Sequence, residues 1–280
     1  MKPRIRSAIV QELLETGALS SFKAIDTHGH MGPLAPIYFP NPEPQDMVRT
    51  MDRCGVERLV FAHHEALVDP VRGNQKAQAA IDAFPRRLIG YFAVNPHYPD
   101  LLKEGVRNFG KLRGFAGYKI LAGYYGTPIT CDACVPLWEH AHEEKLPVLL
   151  HTWGGCTCAG PKQVEEIARR YTGVTILMGH SQYGAWDDAI RLASELPNVY
   201  CELTAAYAAG GFIQKMVDSG IEDKITFGTD LPWFDPMYGI GCVVFARISD
   251  AARRKILRDN AARIFRRWMS QPRKKQSARR

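Results

Sequence analysis

The 280-residue chain has no apolar run long enough to cross a bilayer, so no membrane-spanning helix is expected. Its opening residues lack the apolar core and small-residue cleavage site of a secretory signal. The seven cysteines are therefore expected as reduced thiols in a cytoplasmic setting. No internal repeat and no low-complexity stretch precedes the last residues, and no glycine-rich phosphate loop follows any candidate strand. Acids are missing from 266–280, where seven basic residues fall. Setting those seven aside leaves 29 basic residues against 29 acidic ones, so the formal charge of +7 belongs to the tail. A neutral body offers no electrostatic track for nucleic acid.

What is present is alternation. With 46% hydrophobic residues, the chain can bury a large core. Apolar, β-rich runs fall at 24–28, 58–63, 88–94, 114–121, 147–151, 174–180, 199–204 and 225–230. Helical patterns lie between them, at 45–54, 73–84, 101–109, 132–145, 162–171, 185–195 and 210–219, and 249–267 closes the series. Several runs are apolar throughout (Pro147 to Leu150, Val174 to Met178), as expected of strands buried on both faces of a parallel sheet. Eight strand–helix units predict a single-domain (β/α)8 TIM barrel over 23–268. An N-terminal helical extension over 1–22, with its helix at 5–19, and a disordered basic tail over 269–280 flank it. A doubly wound open sheet is the runner-up.

Barrel active sites lie at the C-terminal ends of the strands. The first strand carries His28 and His30, one residue apart and on one side of an extended chain. The second ends in His63 and His64, the third in Asn95, the fourth carries Lys119, the fifth His151 and the sixth His180. Glu202 and Thr204 fall on the seventh, and Asp230 ends the eighth. A single buried histidine is ordinarily a satisfied core residue. This many imidazoles, an amine and a carboxylate at one barrel mouth point to a metal centre.

The series Asp26-Thr-His-Gly-His30, Gly117-Tyr-Lys-Ile120, Val148-Leu-Leu-His151, Ile176-Leu-Met-Gly-His180 and Phe227-Gly-Thr-Asp-Leu-Pro232 resembles the amidohydrolase superfamily. More narrowly, it resembles the amidohydrolase-related branch that also contains metal-dependent aromatic-acid decarboxylases. The stretch Lys255-Ile-Leu-Arg-Asp-Asn-Ala-Ala-Arg-Ile-Phe265 is similar to that branch's closing helix, and the resemblance runs from about Ala24 to Phe265. It implies a divalent metal, zinc being the expected ion, held by His28, His30, His151 and Asp230. His180 would hold a second metal or polarise substrate, and Lys119 matches the position of the carboxylated lysine of two-metal members. One ion per chain is expected, with two as the alternative.

Such an ion lowers the pKa of bound water from 15.7 towards about 7. Asp230 would take that proton and return it to a leaving group, and His180 would donate to the developing oxyanion. The first expectation is a metal-dependent hydrolase of a small organic substrate with an amide, lactone or ester-type bond. The alternative is a metal-dependent decarboxylase of a small aromatic or unsaturated acid, which the same ligands would serve. A metal-dependent DNase is disfavoured by Lys119, where those enzymes place an acid, and a non-catalytic metal scaffold by the full ligand set. Tyr38, Phe39, His63, Asn95, Tyr124, Trp153 and Trp233 are the expected walls of an aromatic pocket, and Lys119 or Arg113 would meet an anionic group. Cys131, Cys134, Cys156 and Cys158 could share a structural zinc, though reduced thiols are the better reading. A small molecule is the expected partner, and a homo-oligomer is left open.

Overall fold

Eight parallel strands pair in chain order in the computed structural model of the protein, which describes residues 7–269. They are β1 (Ala24–Met31), β2 (Val56–His63), β3 (Leu88–Val94), β4 (Phe115–Ile120), β5 (Pro147–Trp153), β6 (Thr175–Tyr183), β7 (Val199–Glu202) and β8 (Ile225–Thr226). The chain after β8 closes the sheet onto β1: Thr27 N–H donates to Phe227 O, and His30 N–H to Leu231 O at 2.8 Å. The result is the (β/α)8 barrel that the alternation predicts. The expected basic tail lies outside the described residues apart from Met269, which sits in the short helix Arg266–Met269.

The outer helices include Pro44–Cys54, Pro70–Ala83, Pro99–Asn108 and Pro161–Arg170. Each begins on a proline, whose fixed φ suits the first turn and whose missing N–H would have had no helical partner there. Inside the barrel, Ile25, Val60, Ile89, Tyr91, Leu149 and Leu177 pack with Phe265 of the closing segment. That apolar plug leaves the opposite mouth for the polar cluster. The β2–β3 ladder stops at Phe61 and Gly90. Past that point Asn74 donates to Ala93 O at 2.8 Å and accepts from Ala93 N–H at 3.0 Å, so buried backbone groups of β3 are still paired.

Several strand ends depart from the sequence expectation, the first strand running on to Met31 instead of 28. The eighth strand stops at Thr226 instead of 230, because Asp230 turns to φ +59 and gives its N–H to His28 O at 2.7 Å. The seventh stops at Glu202, and the sixth runs on to Tyr183. An unforeseen helix, Pro236–Val244, follows the eighth strand, with Ile240, Val243 and Val244 buried. The N-terminal helix spans Ala8–Thr16, capped by Ser7, whose hydroxyl also donates to Asp250 at 2.5 Å.

Candidate active site

Relative to β2, β1 shifts register between Asp26 and Gly29, an irregularity of the kind that re-aims side chains. His28 is fully buried there. Its Nδ1–H donates to Glu202 Oε2 at 2.6 Å, which leaves Nε2 as an acceptor. Lys119 Nζ lies 2.7 Å from that Nε2, and Asp230 Oδ1 lies 2.9 Å from it and 3.4 Å from Nε2 of His30. Asp230 Oδ1 is itself buried and receives no hydrogen bond. Lys119 is thus the donor nearest that nitrogen, while Asp230 Oδ1 beside it is left without one, an arrangement that a divalent cation would complete. Donor atoms of His28, His180 and Asp230 all lie within 4.8 Å of one another, close enough for one ion.

The neighbouring imidazoles are neutral. Burial pulls His180 down to about 4 and His151 to about 2, and holds His30 well below the ordinary value. His180 Nδ1 lies 3.3 Å from Thr204 O and donates to it, so Nε2 accepts from His151 Nδ1–H at 3.1 Å. His180 Nε2 is also 3.9 Å from Asp230 Oδ2. Burial would raise the Asp230 carboxyl, but the facing His28 and His180 rings outweigh it and hold the group well below the usual range. Burial brings the Lys119 ammonium down to about 8.

The backbone beneath these groups is strained. His180, Ser181 and Gln182 have φ of +66, +48 and +52, and Asp230 has +59, values that non-glycine residues rarely adopt. Hydrogen bonds hold them there: Ser181 Oγ–H donates to Glu202 O at 2.8 Å, and Gln182 N–H to Thr152 Oγ1 at 3.1 Å. Asp26 accepts from Thr229 Oγ1–H at 2.5 Å and from His28 N–H at 3.0 Å, clamping the first strand to the loop that carries Asp230.

Above the cluster is a cavity of about 190 Å³ lined by His30, Leu34, His63, His64, Leu67, Leu121, Tyr124, His151, Trp153, His180, Asp230, Trp233 and Phe234, among others. Trp153 lies parallel to His151 (6.0 Å between centroids), and Tyr124 meets it edge-on at 5.1 Å. Phe39 packs behind, stacked on His64. Three expected pocket residues are elsewhere. Tyr38 is 87% exposed on the outer side of its loop. Asn95 accepts from His97 N–H and borders a separate groove between two outer helices. Arg113 precedes the N-terminal end of β4, at the far end from the mouth, and pairs with Asp82 at 3.6 Å.

The four cysteines do not form a zinc site: Cys131 and Cys134 sulfurs are 3.6 Å apart, but no three thiols of the described residues converge. Two residues went without a role in the sequence reading. Glu202, an acid closing the apolar run Val199–Cys201, needed a buried partner, and that was its signal. Asp26, two residues before His28, was visible as part of the motif.

A model of the family described as amidohydrolase matches residues 25–267. The chain belongs to the amidohydrolase family. A gamma-resorcylate decarboxylase from Polaromonas sp. is 23% identical over 282 residues, covering 78% of this chain and 86% of its own length. A 5-carboxyvanillate decarboxylase from Novosphingobium aromaticivorans, solved with manganese, has a TM-score of 0.69 at 14% identity, over 88% of this chain and 96% of its own. A 2,6-dihydroxybenzoate decarboxylase from Rhizobium has a TM-score of 0.68 at 16% identity, over 88% and 99%. These relatives overturn the first functional expectation. All three are decarboxylases, so the hydrolase reading gives way to the alternative: the ligands common to both chemistries had made the two indistinguishable by sequence. Zinc is not singled out either, since manganese is the ion in the Novosphingobium structure. No helix of the described residues is long and apolar enough to cross a membrane.

Proposed function

We propose that this family member is a metal-dependent decarboxylase of a single-ring, hydroxy-substituted aromatic acid. The observation that carries the reading is the orphaned Asp230 Oδ1, 2.9 Å from Nε2 of His28 at the floor of an aromatic-walled cavity. Imidazole and carboxylate donors of this kind fit a divalent transition-metal ion. His28, His30 and Asp230 would hold it, with His180 or His151 completing the set. Lys119 is proposed as an unmodified amine, already engaged with His28, and the site as a one-metal site. When bound, the ion would bind and orient the substrate's oxygens and stabilise negative charge as carbon dioxide leaves.

The residues supply the rest. The bond from the ring carbon to the carboxylate breaks, its electron pair stays on the ring carbon, and a proton must replace what has left. Asp230 and His180, 3.9 Å apart at the cavity floor, rest without that proton and are the pair assigned to take it up from solvent and pass it to the ring carbon. Leu34, Leu67, Leu121 and Phe234 offer the ring an apolar wall, which suits a reaction that needs no attacking water. A cavity of about 190 Å³ suits one ring and its small substituents, and the relatives' decarboxylase activities support the class.

The test is carbon dioxide release from a panel of dihydroxybenzoates and methoxy-hydroxybenzoates by metal-stripped and manganese- or zinc-loaded protein. Metal-dependent release from at least one acid is expected. Loaded protein that releases none, or stripped protein that works as well as loaded, would overturn the reading.

A further inference from the structure

We propose that His64 is a positioning residue that locks the ring plane of His30 and couples it to the proline-rich loop after β1. The inference rests on His30 serving the metal site proposed above. His64 borders the cavity, yet both ring nitrogens are committed away from it. Nδ1–H donates to Gly32 O at 2.7 Å, and Nε2 accepts the indole N–H of Trp233 at 3.0 Å. A ring fixed in that tautomer offers no lone pair to a metal and no proton to a substrate. What remains is its flat face.

That face is used on both sides. His64 stacks on His30 at 4.9 Å between centroids and on Phe39 at 5.2 Å, each within 6° of parallel. Phe39 belongs to the loop that holds Pro33, Pro36, Pro40 and Pro42, so the loop's buried aromatic and the His30 imidazole grip one ring between them. Gly32 is the loop's fixed point. Its carbonyl takes the His64 proton and its N–H donates to Pro42 O at 2.8 Å. It sits at φ +82, where an added Cβ would lie 2.4 Å from the His63 ring, so no other residue fits. From the other side Trp233 crosses Phe39 edge-on at 5.0 Å, and its backbone N–H donates to Asp230 O at 2.7 Å. One ring thus joins the loop, the His30 plane and the segment that carries Asp230.

The experiment titrates manganese against a fluorescent chelator with the full chain, its His64→Phe variant and its His64→Leu variant. Phenylalanine keeps a flat ring between His30 and Phe39, whereas leucine fills the space without a face. Partners that orient a ligand from behind it are worth about 10–100-fold in metal affinity. His64→Leu should lose an amount of that size, and His64→Phe much less. Chymotryptic cleavage after the exposed Tyr38 gives a second readout: manganese should slow it in the parent chain and not in His64→Leu. Parent-like affinity in His64→Leu would overturn the proposal, as would an equal loss in both variants, which would place the effect in the hydrogen bonds. A parent chain that takes up no manganese would instead remove the metal reading itself and, with it, this inference.

Discussion

Replacing Glu202 by glutamine should disable the centre without touching a group that faces the cavity. Glu202 Oε2 accepts from His28 Nδ1–H at 2.6 Å, and Oε1 accepts from Thr204 N–H at 2.8 Å and its hydroxyl at 2.7 Å. Burial alone would raise this carboxyl, but the facing His28 and its hydrogen bond hold it below the usual range. A glutamine amide can instead donate to Nδ1. His28 then changes tautomer: the proton moves to Nε2 and points at Asp230 Oδ1, 2.9 Å away. The orphaned oxygen is satisfied by a proton, and the lone pair needed for the ion is gone. A hydrogen bond to a charged group contributes about 1.5–3 kcal/mol. At about 1.4 kcal/mol per decade, that is roughly a ten- to hundredfold loss of metal affinity. The variant should be titrated with manganese by calorimetry and its melting compared with the parent, where a fall of a few degrees is expected for about 1 kcal/mol lost in a chain of this size. Parent-like affinity in Glu202→Gln would refute the tautomer reasoning.

The double variant His28→Asn, His30→Asn should retain no divalent ion after dialysis, read by elemental analysis; a stoichiometric ion surviving there would place the metal elsewhere. Asp230→Asn keeps the shape and one oxygen but cannot carry the proton, so turnover should fall at least ~10²-fold, the usual scale for an acid–base group, with metal partly retained. Asn74→Ala leaves both Ala93 backbone groups buried without a partner and should cost roughly 2–4 kcal/mol in urea unfolding while metal affinity stays unchanged.

The barrel was legible because its signal is redundant. Eight apolar runs with helices between them admit few topologies, and strand ends are where such a fold puts its chemistry. Donor atoms of His28, His180 and Asp230 come together, with His30 and His151 beside them, since each sits at or just past a strand end whose position the hydrophobic pattern already limits. Side-chain direction was harder. Tyr38 and Phe39 are adjacent, yet one faces solvent and the other packs on His64, a choice made by tertiary packing that no periodicity records. Asn95 fell outside the cavity because the residue after a strand can turn either way. Arg113 was placed by charge alone, with no regard to which end of β4 it precedes. The reaction type was not legible in the ligand residues, since the same ions and histidines serve water attack and carboxylate loss.

The cluster also shows where the chain breaks its own local rules. Elsewhere the core is mostly apolar and many helices begin on a proline or a side-chain cap, so local preference and fold largely agree. At the mouth, by contrast, a lysine, two carboxylates and three histidines are buried together: Lys119, Asp26, Glu202, His28, His30 and His180. His180 and Asp230 hold positive φ against their preference, and Asp230 Oδ1 lacks a donor. Such departures each cost of order 1–3 kcal/mol and persist only where the surrounding structure over-determines them. Here the determinants are visible: Thr229 on Asp26, Glu202 on His28 and Ser181, and the backbone of His28 on Asp230. A fold selected for stability alone would have filled these positions with leucine and valine, as it does one turn below with Ile25, Leu149 and Leu177. The strain therefore belongs with the chemistry, and relieving it should stabilise the barrel at the expense of the site.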